Sequence, residues 1–286
     1  MIADPPGGDV VRVLEVHSGL CGLIAETARG PNGEAFDATW SSSLTSSAIK
    51  GKPDIETVDT SARIGQVEDV LEVSTKPMIY DGDTGGLPEI FHFTVRSLER
   101  LGVSCCIIED KTGLKQNSLF GTDRKQELED IDSFCAKIRA GKAAQVTDDF
   151  MVVARMESLI AGHGEDEAIM RATKAVEAGA DGVMIHSKEK APDEVLSFLE
   201  RYNRELGSDR KPVVAVPTTY NAITEKELAD AGVAVCIYAN HLLRASYPSM
   251  LSVAESILAN GRSLEADAQV MPVKNILTLI DDNTGS

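Results

Sequence analysis

The chain is short of basic residues, of long apolar runs and of paired cysteines. Its 286 residues carry 28 Lys+Arg against 45 Asp+Glu, a formal net charge of −17, and the pI is near 4.7. This balance repels phosphate backbones and anionic lipid, so nucleic acid and membrane surfaces are excluded as expected partners. A small anionic substrate is not excluded, because one Mg2+ reverses the local sign of a site. No apolar run reaches the ~18 residues of a membrane-spanning helix. The opening MIADPPGGDV has neither a basic nor an apolar segment, so no secretory signal is read there and a cytoplasmic location is expected. The five cysteines (Cys21, Cys105, Cys106, Cys135, Cys236) are odd in number and contain no CxxC. They read as reduced, mostly buried thiols, with Cys105 and Cys106 on opposite faces of a strand. No GxGxxG follows the first strand-like run, which counts against a dinucleotide-binding open sheet.

What is present is a regular alternation. Eight short apolar runs read as strands: 10–16, 35–40, 76–81, 103–109, 150–156, 181–186, 212–216 and 233–239. Continuous apolar runs of this length suit parallel strands covered on both faces. Helical patterns lie between them. Over 124–141, Leu128, Ile131, Phe134, Cys135 and Ile138 recur at three- and four-residue spacing, and Thr224 with Glu227 forms a capping-box pattern. Pro88 and Pro192 stand where a first helical turn tolerates them. Three similar words, RLGV, EAGA and DAGV, put Gly102, Gly179 and Gly232 where a helix ends in a left-handed residue before a strand.

Eight such units predict an α/β fold of the (β/α)8 TIM-type barrel class, with a doubly wound open sheet as the alternative. The chain reads as a single barrel domain over 1–286, with a flexible start at 1–9. Residues 240–286 form a C-terminal helical segment that exceeds one closing helix and is expected to cover the barrel bottom or a neighbouring subunit.

In such a barrel the chemistry gathers at the C-terminal strand ends. Asp81, Asp83 and Glu109 stand at the ends of strands three and four, and oxygen ligands with room for water suit Mg2+ better than zinc. A turn is the other use of DGDTGG. Arg155, inside an apolar strand, needs an anion: either a structural acid or a substrate carboxylate or phosphoryl group. His186 closes the sixth strand, and the fifth also carries Glu157. The polar segment EDKTGLKQNSLFG, 109–121, is too long for a tight turn and suits a lid closing over an anion.

That segment resembles the gating loop of phosphoenolpyruvate mutases, in the isocitrate lyase/phosphoenolpyruvate mutase superfamily. HSGL (17–20), ATWSSSLTSSAIKGKPD (38–54), YDGDTGG (80–86), ARMES (154–158) and MIHS (184–187) resemble further family segments, so the likeness covers nearly the whole chain. The resemblance implies an α/β barrel whose C-terminal helix is swapped between subunits of a homotetramer, a dimer of dimers. It implies Mg2+ and the interconversion of phosphoenolpyruvate and 3-phosphonopyruvate, the C–P bond-forming step of phosphonate biosynthesis. Carried over residue by residue, Asp81 would contact the metal directly, with Asp83, Glu109 and Asp54 acting mainly through water. Ser42 and the amides of Ser43 and Leu44 would hold the substrate carboxylate against Trp40. Arg155, His186 and Asn117 would surround the phosphoryl group, and Lys115, with Ser118 nearby, would complete the closed lid.

Two sister activities remain as alternatives. Phosphonopyruvate hydrolases resemble the mutases but carry Thr where this chain has Asn117. Carbon–carbon lyases of the superfamily place a catalytic Cys in the loop, and residues 110–122 contain none. A catalytically dead binding subunit, the third alternative, is disfavoured by the complete set of strand-end acids, Arg155 and lid residues. Whether a decarboxylase partner binds is not legible in the sequence.

Overall fold

The computed structural model describes residues 10–280; the expected flexible start at 1–9 lies outside the described residues. Eight parallel strands close on themselves in chain order, β8 pairing back onto β1. They are β1 (Val11–Val16), β2 (Ala38–Ser41), β3 (Met78–Asp81), β4 (Cys105–Glu109), β5 (Met151–Met156), β6 (Gly182–Ile185), β7 (Val213–Ala215) and β8 (Val233–Tyr238). Helices α1 (Gly19–Thr27), α2 (Ser43–Ala48), α3 (Thr60–Leu71), α4 (Pro88–Leu101), α5 (Ile131–Ala144), α6 (Gly164–Glu177), α7 (Asp193–Leu206) and α8 (Glu225–Asp230) connect them. The fold is therefore the expected (β/α)8 barrel, and the open sheet is excluded.

Local chemistry explains the boundaries. Thr224 and Glu227 form the capping box at the start of α8. Pro88 occupies the first position of α4. Gly102, Gly179 and Gly232 have φ of 89°, 105° and 99°, so the three repeated words do end helices in the left-handed region. Two boundaries differ from expectation. The second strand starts at Ala38, because Asp37 satisfies the Arg12 N–H with its carboxylate (2.8 Å). The helix expected from 124 starts at Ile131, where the Asp130 carboxylate accepts the Ser133 N–H. Leu128 instead forms an antiparallel bridge with Lys111.

The barrel is filled by inward side chains such as Val13, Ile79, Ile107, Val153, Met184, Val214 and Ile237. Cys105 belongs to this cluster and its neighbour Cys106 does not, as alternation requires. All five cysteines are free and buried.

The described residues up to Asn240 and those from His241 onward form two compact units. In the second, α9 (His241–Asn260) is followed by a 3-10 turn (Leu264–Gln269) and α10 (Val273–Leu277). Many of its apolar side chains are exposed, among them Tyr247, Leu258, Val273 and Leu277. No helix among the described residues is long and apolar enough to cross a membrane.

Candidate active site

Alternation along the strands builds the site. In a strand every second side chain shares a face, so the inward series runs upward from core to chemistry. Ile79 leads to Asp81 and Asp83, Ile107 to Glu109, Val153 to Arg155 and Glu157, Met184 to His186, and Trp40 to Ser42. Glu109 and Arg155 are register partners across β4 and β5. All of these polar side chains are buried.

Several of the acids meet at Lys115. The Lys115 ammonium stands 2.8 Å from Asp83 Oδ1, 3.5 Å from Asp54 Oδ1 and 4.0 Å from Glu109 Oε1. It also donates to Ser43 Oγ (3.0 Å). Burial opposes the Lys115 charge, but Asp83, Glu109, Asp81 and Asp54 push its pKa well above the usual lysine value. Asp81 Oδ2 accepts from both the amide (3.0 Å) and the hydroxyl (2.7 Å) of Ser43. Burial alone would raise Asp81; Lys115, Arg63 and Arg155 hold it well below the carboxylate range. Asp83 is pushed up by burial, against Lys115 and Arg63, whose guanidinium lies 2.9 Å from Asp83 Oδ2. Glu109 is likewise raised by burial.

The donor set fits a hard divalent cation. Asp54 Oδ1, Asp83 Oδ1 and both oxygens of Glu109 are buried without a hydrogen bond. Among the described residues no three acids, His or Cys converge as a ready-made metal cage. Mg2+ prefers one or two direct carboxylates and several waters, which this cluster of carboxylates, balanced by Lys111, Lys115 and Arg155, can supply.

A second network lies beside the first. Arg155 Nε is 2.5 Å from Glu157 Oε1, and its Nη2 reaches Ser118 Oγ (2.7 Å), His186 Nδ1 (2.9 Å) and Glu109 Oε2 (3.3 Å). Arg155 thus has structural acids as partners and still borders the cavity. Burial and Arg155 lower the His186 pKa. His186 Nδ1 lies between Arg155 Nη2 (2.9 Å) and Glu157 Oε1 (3.0 Å), and the ring borders the cavity.

The lid is folded around Lys111. Its ammonium donates to the Gln116 carbonyl (2.9 Å), Ser118 Oγ (2.9 Å) and Gln126 Oε1 (3.2 Å), and pairs with Glu157 (3.1 Å). At the lid's base, Thr112 N–H bonds the Glu127 carbonyl and Glu129 N–H the Asp110 carbonyl, both at 2.9 Å. Asn117 Nδ2 donates to Asp54 Oδ2 (2.6 Å).

One cavity of about 50 Å3 unites these parts. Trp40, Ser42, Ser43, Leu44, Asp54, Asp81, Lys115, Asn117, Ser118, Arg155 and His186 line it, with Leu119, Thr218 and Asn240. Asp83 and Glu109 are not on its wall; they reach it through Lys115. The expected carboxylate grip is engaged otherwise in this state: the Ser43 donors hold Asp81, and Ser42 Oγ caps α2.

Several participants were not expected from sequence. Arg63 on α3 pairs with Asp83, and Glu56 bonds both Thr84 N–H (3.1 Å) and Lys115 N–H (3.3 Å). Neither lies at a strand end. Lys111 and Glu157 did carry a signal, one as the residue after Glu109-Asp110 and the other at the i+2 position from Arg155.

A parallel barrel with an acid-rich, lidded cavity at the carboxyl ends of its strands is laid out as an enzyme, and the sequence relatives place the chain in the isocitrate lyase/phosphoenolpyruvate mutase superfamily. Within it, the family model for Phosphoenolpyruvate phosphomutase matches residues 6–258. The chain belongs to this family. It is 36% identical over 277 residues to Phosphonopyruvate hydrolase from Variovorax sp. (strain Pal2), covering 96% of this chain and 91% of that one. The crystal structure of phosphoenolpyruvate phosphomutase from Streptomyces platensis subsp. rosaceus matches with a TM-score of 0.88 and 37% identity, over 97% of this chain and 92% of that one. A structure of phosphonopyruvate hydrolase complexed with oxalate and Mg++ matches at 0.84 with 34% identity, covering 94% and 89%. Mutase and hydrolase are thus similarly near.

Proposed function

We propose that the chain is a phosphoenolpyruvate mutase, an isomerase moving a phosphoryl group within one molecule between the enolate oxygen and C3 of pyruvate. The observation that carries this reading is the closed lid. Lys115, Asn117, Ser118 and Leu119 all turn into the cavity, and the residue beside Asp54 is an amide. Between departure and return the phosphoryl group must be kept from water, and this calls for positioning and charge stabilisation more than acid–base chemistry. Asn117 can orient a phosphoryl oxygen without offering a base to water. Arg155 and the His186 ring line the same cavity and supply positive and polar character for the phosphoryl group. Ser42, Ser43 and Leu44 face the carboxylate end, with Trp40 as an apolar wall.

Asp81 would hold Mg2+ directly, with Asp83, Glu109 and Asp54 acting mainly through water; when bound, the ion neutralises charge on the enolate and phosphoryl oxygens. The oxalate and Mg++ of the hydrolase complex support this choice.

A phosphorus NMR time course with phosphonopyruvate, Mg2+ and protein tests the assignment. Phosphoenolpyruvate is the expected product. Inorganic phosphate would instead assign the sister hydrolase activity, the second reading, which the Variovorax relative favours.

The whole chain is proposed to act as one barrel enzyme in the cytoplasm, as a homotetramer with its C-terminal helix exchanged between subunits. The exposed apolar side chains of 241–280 support this, since such faces are a liability unless covered. Sedimentation equilibrium should give a tetramer; a monomer at micromolar concentration would refute it.

A further inference from the structure

We infer that the Lys115 ammonium and the divalent cation are alternative occupants of one acid pocket, so that metal entry expels this lid side chain. The inference rests on the metal site proposed above.

Three observations lead to it. The first is position. The ammonium lies within 2.8–4.0 Å of Asp83, Asp54 and Glu109, the carboxylates assigned above to the metal's surroundings. A second cation among them would sit against the ammonium, and like charges at such range repel strongly where water is excluded.

The second is charge. Five buried carboxylates (Asp54, Asp81, Asp83, Glu109, Glu157) face four buried cations (Arg63, Lys111, Lys115, Arg155). With Lys115 inside, the formal sum is −1. Adding a divalent cation makes it +1, whereas exchanging Lys115 for that cation makes it zero.

The third is space. The cavity, about 50 Å3 with the ammonium in place, holds a few waters at ~10–15 Å3 each, not a three-carbon phosphate ester. The Lys115 side chain fills the space beside these acids, and Glu56 pins its backbone N–H beside Thr84. Metal entry must open this arrangement. An arriving dianionic phosphoryl group then offers the expelled ammonium a new partner, so the lid recloses only over metal and substrate together.

Calorimetric titration of Mg2+ and Mn2+, without substrate, tests this on the wild type, Lys115→Ala and Lys115→Arg. The alanine variant is expected to bind at least ~10-fold more tightly than wild type, and the arginine variant to remain within about threefold of it. In the wild type, Mg2+ should also raise amide hydrogen exchange across 110–125, a readout that needs no variant to fold. Equal or weaker binding by Lys115→Ala overturns the exclusion, as does unchanged or slower exchange on adding metal to a protein that binds it. Absence of binding by all three proteins overturns the metal site itself, and the inference with it.

Discussion

The lower barrel and its mouth are built from the same strands and obey opposite rules. Below, Val13, Ile107, Val153 and Ile237 fill the interior with apolar atoms, each buried and without electrical demand. One pleat higher on the same faces stand Glu109, Arg155 and Asp81, equally buried. There, stability depends on each charge finding its opposite, and some carboxylate oxygens find no hydrogen bond at all. Burying charge is expensive unless it is paired. The mouth therefore stores an imbalance that a ligand can relieve, while the lower barrel stores none. A substitution below should move stability and spare chemistry; one above should do the reverse.

The largest expected effect is at Asp81. Asp81→Ala should reduce turnover by at least ~10^3-fold, since charge stabilisation by a bound ion amounts to several kcal/mol. Circular dichroism should still report a folded barrel. Its melting temperature should fall by a few degrees, because the Ser43 amide and hydroxyl lose their buried acceptor. A protein that loses activity only because it unfolds would erase the distinction between the two zones.

Next comes Asn117, on the lid. Asn117→Ala should cost ~10²–10³-fold in rate, the usual effect of losing one well-placed donor in a dry site. Asn117→Thr should lose mutase activity and release some inorganic phosphate, visible in the same phosphorus NMR spectra. Unaltered turnover by Asn117→Ala would show that the loop is not the lid, and the mutase assignment would fall with it.

Smaller is the reciprocal change below. Ile107→Val deletes one methylene from the packed interior and should cost ~0.5–1.5 kcal/mol in urea unfolding. Its kcat should match the wild type. A kcat falling in parallel with stability would mean that the core and the mouth are mechanically coupled.

The smallest concerns the rim at β1. Glu15 and His17 are an ion pair there, and Cys21 Sγ lies 3.4 Å from His17 Nε2. Burial opposes the imidazolium, but Cys21 and Glu15 outweigh it and push the His17 pKa up to about 9. A raised folded pKa adds stability that is fully present below the ordinary imidazole value near ~6.5 and is lost as pH rises through about 9. The His17 contribution to unfolding free energy should therefore decline as pH rises through about 9, opposed by Cys21, whose lowered thiol pKa adds stability with rising pH, so the wild type and His17→Gln should differ in slope. Identical slopes in the two proteins would detach His17 from this titration.

Much of this architecture is local and was legible in order along the chain. Apolar runs bounded by Gly and capping residues specify strands and helices through short-range sterics and hydrogen bonds. Parallel alternation then forces every second residue past Ile79, Ile107, Val153 and Met184 into the mouth, so Asp81, Glu109, Arg155 and His186 could be named without coordinates. The start of α5 was misplaced because Leu128 keeps helical spacing while serving the lid base. The partners of the acids had no such signal. Arg63 is one of three charged residues on α3, and Glu56 and Asp54, the latter legible only through the family resemblance, lie in an irregular connection; only closure of the barrel brings them beside Asp83 and Asn117. The place of Lys115 was decided last, by tertiary structure alone. Its side chain goes to the largest concentration of buried negative charge within reach, and that concentration exists only after four separate segments have met.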